Sequence, residues 1–210
     1  TAINFDASAN TDDGSCQYAC TAAPYAENFD AGLGTWTQGA AAPFGTDAGD
    51  WDLWSGATFS TATGPSDDVT GGGQYLYIET SNSAAWNGGQ FTLTSECFDI
   101  SALASPCLAF NYHMFGATMG TLEVYVNGTL EWTMSMDQGD QWNIAQIDLS
   151  AYAGTDVTFD FIGLGGTSFT SDIAIDQISI DECVSYGCTD SIACNYDSTA
   201  TCDDGSCLTI

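Results

Sequence analysis

Carboxylates and thiols are the side chains whose type and spacing could do chemistry in this chain, and two stretches carry both. Near the C-terminus, Asn195, Asp197, Asp203 and Asp204 are interleaved with Cys188, Cys194, Cys202 and Cys207. At the N-terminus, Asn4, Asp6, Asp12 and Asp13 precede Cys16. Thr1 to Cys16 aligns with Ile192 to Cys207 without a gap, and both stretches end in Asp-Asp-Gly-Ser-Cys. One small module therefore stands at each end, as in an array. Calcium takes six to eight oxygens from carboxylates, amides and backbone carbonyls, and these loops are rich in all three. Gly14 and Gly205 permit the sharp, positive-φ turn that such a loop needs. The competing reading is an Asx-turn loop held by disulfides, with no metal.

The repeat also bears on cysteine pairing. Where the second copy has Cys194 and Cys202, the first has Ile3 and Thr11. Their joint absence points to a Cys194–Cys202 bond, which leaves Cys188 for Cys207. The first copy lacks the residues matching Tyr186 to Ser191, so Cys16 is unpaired within this chain. Either the numbered chain begins inside a longer polypeptide or another subunit completes that module. Zinc is disfavoured, because no Cys-x-x-Cys occurs and His113 is the single histidine. Nine cysteines in a Ser/Thr/Gly-rich chain suit an oxidising, extracellular setting.

The charge balance excludes several partners. The 210 residues include 28 acids and no Lys or Arg, for a formal charge of -28. Nucleic acid is excluded, since phosphate binding needs cations, and anionic membrane surfaces are excluded on the same ground. Mutual repulsion of these charges opposes compaction, and divalent cations would relieve it; an acidic surface suited to salty water is the alternative. Hydrophobic residues make up 44% and aromatic residues 12%, enough for a packed core. No apolar run is long enough to span a membrane. The sequence opens with neither Met nor a signal-like segment, which reads as a mature product or a segment of a longer one. Catalysis is poorly supported: the lone His113 sits within a strand pattern, and no nucleophile elbow or phosphate loop appears. An enzyme is not expected.

The elements that must position these groups read as β-strands. Gln74 to Glu79 and Leu108 to Met114 are rich in β-formers, Gln90 to Thr94 alternates, and Leu122, Val124 and Val126 share one face. Val157, Phe159 and Phe161 alternate as well. Such period-2 runs separated by Gly, Asn and Asp argue for an antiparallel sandwich. Asn127-Gly128 marks a hairpin turn. In the last strand, Ile173 and Ile175 set a rhythm that resumes one residue late at Ile178 and Ile180. That slip predicts a β-bulge at Asp176-Gln177. An ordinary strand end with a solvated Asp is the alternative.

The residues Asn28-Phe29-Asp30 with Trp36, Asp50-Trp51, Thr63-Gly64-Pro65-Ser66-Asp67-Asp68-Val69-Thr70 with Gly73 and Tyr75, Cys107 to Gly116, Met119 to Leu122, and Ser171 to Asp176 occur in an order that resembles a MAM domain. That is an extracellular adhesion module with a jelly-roll sandwich. The family usually has Glu at the position of Asp30, often His at Val69, and paired Asp where this chain has Asp176-Gln177. The terminal modules resemble the short Cys/Asp repeats of secreted Bacteroidota surface proteins and, faintly, thrombospondin-type calcium repeats.

The resemblance implies a calcium site joining the first strand, the Gly-Pro stretch and the last strand, with Asp30, Asp68 and Asp176 as ligands and Asp67 and Asp172 as further candidates. In a jelly roll the first and last strands can lie side by side, which pairs Cys20 with Cys183; Cys97 and Cys107 flank one connection and are paired with each other. Modification motifs are present at Asn127 (an N-glycan sequon) and at Ser191 and Ser198 (the Bacteroidota O-glycan pattern). The expected architecture is all-β: residues 1–19 an incomplete repeat, 20–183 a jelly-roll β-sandwich, and 184–210 a complete repeat. The expected function is a non-catalytic, cell-surface structural or adhesive protein, stabilised by calcium and disulfides. It would be linked end to end with copies of itself or neighbouring domains, in a filament or tandem adhesin. The alternative is a carbohydrate-binding module, with some of the six Trp, including Trp51, Trp54, Trp86, Trp132 and Trp142, stacking sugars; core packing is the commoner use of such residues.

Overall fold

The computed structural model describes residues 19–39, 49–81, 85–188, 191–198, 200, 202–203 and 206–208. Asn4, Asp6, Asp12, Asp13, Cys16 and Asp204 lie outside the described residues, as do the side chains of Cys202 and Asp203. The chain is all-β, with two main sheets packed as a sandwich. Among the described residues no helix is long and apolar enough to cross a membrane.

One sheet contains β3 (Thr37–Gln38), β6 (Gln90–Thr94), β9 (Thr121–Val126), β10 (Thr129–Ser135) and β13 (Phe159–Leu164), in the order β10-β9-β13-β6-β3. The other contains β4 (Asp52–Trp54), β5 (Tyr75–Ile78), β8 (Pro106–Met114), β11 (Asn143–Asp148) and β14 (Ile173–Glu182), in the order β11-β8-β14-β5-β4, with β2 (Tyr25–Glu27) also on β14. The period-2 runs become these strands because one face of each is covered. Leu108, Phe110, Tyr112 and Met114 of β8 meet Leu122, Val124 and Val126 of β9 and Phe159 and Phe161 of β13 in one buried cluster. Asn127 and Gly128, with φ of 49° and 78°, make the β9–β10 turn, as the Asn-Gly pair requires.

A small sheet of β1 (Thr21–Ala22), β7 (Phe98–Asp99) and β12 (Asp156–Val157) completes the body. It corrects the expected Cys20–Cys183 and Cys97–Cys107 bonds. β1 runs parallel to β7 with Thr21 opposite Phe98, so the preceding residues meet as a Cys20–Cys97 disulfide, Cα atoms 4.8 Å apart. β7 and β8 enter different sheets, which separates Cys97 from Cys107. Cys107 instead lies opposite Asp181 on β14, and the strand end brings Cys183 to it as a second disulfide, Cα–Cα 4.8 Å. A third bond joins Cys188 to Cys207. The expected Cys194–Cys202 bond involves the Cys202 side chain and so lies outside the described residues. Cys194 is a free, exposed thiol, and its N–H donates to the Leu208 carbonyl at 3.2 Å, which holds it beside the C-terminal segment. Residues Tyr186–Gly187 (β15) and Cys202–Asp203 (β16) pair in parallel.

Candidate functional site

The bulge in β14 organises the acidic site. From Asp176 to Ser179 β14 advances three residues while β8 advances two, from Asn111 to Ala109. Gln177 takes the extra place, at φ 53°. On its other edge, β14 pairs with β5 up to Ile175 and with β2 from Ile178 onward. Asp176 therefore faces the gap where β2 ends and β5 begins. Into that gap come Asp30, just past β2, and Asp68, just before β5.

Each of these carboxylates is held by N–H donors. Asp176 accepts from Val69 N–H at 3.1 Å and Gln177 N–H at 2.7 Å. Asp68 accepts from Gly73 N–H at 2.8 Å, Thr70 N–H at 3.0 Å and the Thr70 hydroxyl at 2.6 Å. Asp30 accepts from Gln74 N–H at 2.7 Å and Asn28 Nδ2 at 2.8 Å. Asp68 and Asp176 are buried, whereas Asp30 is exposed. Burial works to raise the Asp68 carboxyl, but the Thr70 hydroxyl and the surrounding N–H groups outweigh it and hold it below the usual carboxylate range. Asp176 is pushed up to about 6, first by burial and further by the charges of Asp68 and Asp30, against its two N–H donors. Gly73 sits between two of the acids. A Cβ there would collide with Asp30 Oδ1 and stand 2.9 Å from Asp68 Oδ2.

The donor set is three carboxylates in a chain without cationic side chains, which is the chemistry of a hard cation. Every carboxylate oxygen has two lone pairs, and those in use accept from the chain's own donors, so accepting capacity remains. The three are not drawn tightly together. Among the described residues, the trio of potential ligand atoms within 4.8 Å of one another is Cys20, Cys97 and Asp156, and its disulfide removes it as a metal site. Asp30, being exposed, is the carboxylate with room to adjust.

The remaining acids lie elsewhere. Asp67, half-buried, accepts from Asp68 N–H at 3.1 Å, and its carbonyl takes Trp142 Nε1–H at 3.0 Å. Asp172 does not join the cluster. Fully buried, it accepts from Thr80 N–H at 3.0 Å and the Thr80 hydroxyl at 2.8 Å through Oδ1, while Oδ2 has no partner among the described residues. Burial pushes its carboxyl up to about 6, opposed by the Thr80 bonds and reinforced by Glu79. In the C-terminal module, Asn195 closes onto the backbone. Its Nδ2 donates to the Ser206 carbonyl and its Oδ1 accepts from Leu208 N–H, both at 2.8 Å. Asp197 N–H donates to the Cys188 carbonyl at 2.9 Å.

Asp172 yields a pH prediction with a definite sign. Between pH 4 and 6 the folded chain keeps a proton on Asp172 that the unfolded chain has released. That contribution to stability is present below about pH 4 and is lost as pH rises toward 6. Asp176 acts in the same direction. His113, lowered by burial against the pull of Asp140 and Asp137, acts in the opposite one, losing stability as pH falls below its ordinary range. Asp172→Asn is expected to flatten the fall in melting temperature between pH 4 and 6; an unaltered slope in thermal scans would show that Asp172 is ionised throughout.

The other sequence candidates have structural roles. His113 is 2% exposed, its Nε2 is 3.3 Å from Asp140 Oδ1, and its ring packs on Trp142 at 5.5 Å. Trp36 and Trp51 are buried in the core, and Trp86 and Trp132 pack against it. Trp54 and Trp142 cover Tyr75 and Tyr77 on the outer face of the β14 sheet. Asn127 is exposed, but its Nδ2 donates to the Asp156 carbonyl and its Oδ1 accepts from Thr158 N–H, tying the hairpin turn to the small sheet. Ser191 and Ser198 are exposed.

Comparisons with known proteins agree on the sandwich. The family profile described as MAM domain, meprin/A5/mu, matches residues 28–188. MAM domain-containing glycosylphosphatidylinositol anchor protein 2 of Mus musculus is 36% identical over 157 residues, covering 65% of this chain and 16% of that protein. Thyroid hormone-induced protein B of Xenopus laevis is 37% identical over 139 residues, covering 62% of this chain and 19% of that one. The chain thus spans less than a fifth of the length of these relatives. Among solved structures, the K1 cleaved adhesin domain of Lys-gingipain from Porphyromonas gingivalis W83 shares the fold. Its TM-score is 0.53 at 16% identity, over 77% of this chain and 99% of that one. On the match of residues 28–188, together with the sandwich and its bulged last strand, the chain belongs to the MAM domain family.

Proposed function

We propose that the chain is a non-catalytic extracellular module, structural or adhesive in role, which a calcium ion and disulfides hold rigid within a larger linear assembly. The observation that carries this reading is the meeting of Asp30, Asp68 and Asp176 where β2 and β5 abut on β14. A cation shared by these acids would tie the entry of the sandwich to its middle and its last strand, and so stiffen the path along which tension passes. Further support comes from the Mus musculus relative, which is named for a glycosylphosphatidylinositol anchor, and from the repeat of the terminal modules. Electron microscopy of the native material tests the assembly. Filaments with an axial repeat near one subunit length are expected, whereas monodisperse particles at all concentrations would overturn the linear arrangement.

A further inference from the structure

On the outer face of the β14 sheet, half of the surface is closed and half is open. Over the closed half, Trp54 and Trp142 pack against Tyr75, Tyr77 and Ala174, and the Tyr75 hydroxyl donates to the Gly56 carbonyl at 2.7 Å. Over the open half lies a groove of about 610 Å³, within the size range of small-molecule sites. Its lining follows from strand register. One cross-strand row runs Gln146–Ala109–Ser179–Ala26. The next runs from Ile144 through Asn111 to the bulge at Gln177, with Asn28 beyond. Small residues on the two central strands form the floor, and amides form the walls.

The unused chemistry of this groove is specific. No hydrogen bond within the described residues engages the side chains of Asn111, Gln146 or Gln177. Each such amide offers two N–H donors and a carbonyl acceptor at once. The one acidic side chain in the lining, Glu27, is already occupied by Phe29 N–H at 2.8 Å and the Tyr25 hydroxyl at 3.4 Å. In a chain of charge -28 this recess carries a single acid, already engaged: anions are repelled by the surroundings, and cations find denser acid elsewhere. Ile144, 63% exposed at the rim, offers an apolar contact beside the amides.

We propose that this groove binds a neutral β-linked oligosaccharide, laid across the strands. Hydroxyl groups both donate and accept, as the amides do. The free amides of Gln146, Asn111 and Gln177, contributed by the adjacent strands β11, β8 and β14, recur at about the strand spacing of 4.8 Å, close to the length of one pyranose ring in a β-linked chain. An extended peptide advances about 3.3 Å per residue and repeats on one face at about twice that, which does not match. The inference rests on reading the chain as a non-catalytic, adhesive extracellular module, but not on the cation.

The test is calorimetric titration of the intact chain with hexaoses of β-1,4-linked glucose, xylose, mannose and galactose, with polygalacturonate and an uncharged extended peptide as further probes. Saturable binding of at least one neutral hexaose is expected, weakened about tenfold in Asn111→Ala/Gln146→Ala through loss of two amide contacts. The melting temperature should be unchanged, because neither amide holds the fold. No binding of any neutral hexaose, preference for polygalacturonate or the peptide, or equal binding by the double variant would overturn the proposal. The same preparations melted with and without calcium report separately on the cation, so either reading can fail alone.

Discussion

Replacing Cys107 and Cys183 together by alanine is expected to cost about 4.5 kcal/mol of folding free energy and to lower the melting temperature by roughly 9–18 °C. The reasoning begins with the unfolded chain. These cysteines are 76 residues apart, so the bond closes a long loop and removes much of the freedom of the denatured state. In the folded state little depends on it locally, since β8 and β14 already pair from Ile173 opposite Met114 to Glu182 opposite Pro106. Cys183 N–H also donates to the Ser105 carbonyl at 2.7 Å. The variant should therefore keep its fold and lose its margin. Calorimetry of the double variant beside the parent measures this, and a fall under about 3 °C would show that the denatured state is compact without the bond. Non-reducing peptide maps of the parent should recover Cys107 with Cys183 and Cys20 with Cys97.

That pairing also shows where sequence reading runs out. Strands such as β6 and β9 announce themselves because burial on one face imposes a period of two, and the β14 bulge announces itself because that period slips by one residue. β10 was visible through its Asn-Gly turn more than its own residues, since it is a largely exposed edge strand. Cys97 and Cys107 stand on either side of a single connection, which invites pairing them. What separates them is that the first enters the small sheet and the second the large one, a fact of three-dimensional topology with no local trace.

The acids divide in the same way. Asp30, Asp68 and Asp176 were carried over from the family likeness, because residues so far apart in sequence leave no spacing to read. Asp172 was a further candidate on the same likeness. Yet four residues of extended chain put roughly 13 Å between Asp172 and Asp176, and Asp172 precedes Ile173 at the other end of the β5 pairing, where Thr80 takes it. The amide groove had a legible trace that charge and aromaticity obscured. Ala109, Asn111 and Ser179 occupy outward positions between inward Leu108, Phe110, Ile178 and Ile180, and small or amide residues side by side on central strands leave a recess.

Saturating calcium is expected to raise the melting temperature of the metal-free chain by about 8–16 °C, and excess chelator to reverse it. A ligand that binds only the folded state adds about 4 kcal/mol at a thousand times its dissociation constant, and a domain of this size gains roughly 2–4 °C per kcal/mol. Calcium should exceed magnesium at equal concentration. Its coordination tolerates irregular sets of carboxylates and carbonyls, while magnesium demands a near-ideal octahedron. A general effect must be separated from a site, because any divalent ion quiets repulsion in a chain of charge -28. Gly73→Ala makes that separation: it leaves the charge unchanged while its Cβ drives Asp30 Oδ1 away from Asp68. The Gln74 N–H bond to Asp30, at 2.7 Å, is lost with it, at a cost of about 1 kcal/mol. If a site is responsible, Gly73→Ala melts slightly lower without metal and gains only a few degrees from calcium. If diffuse screening is responsible, parent and variant gain equally, magnesium matches calcium, and Asp30, Asp68 and Asp176 are no more than a hydrogen-bonded junction of three chain segments.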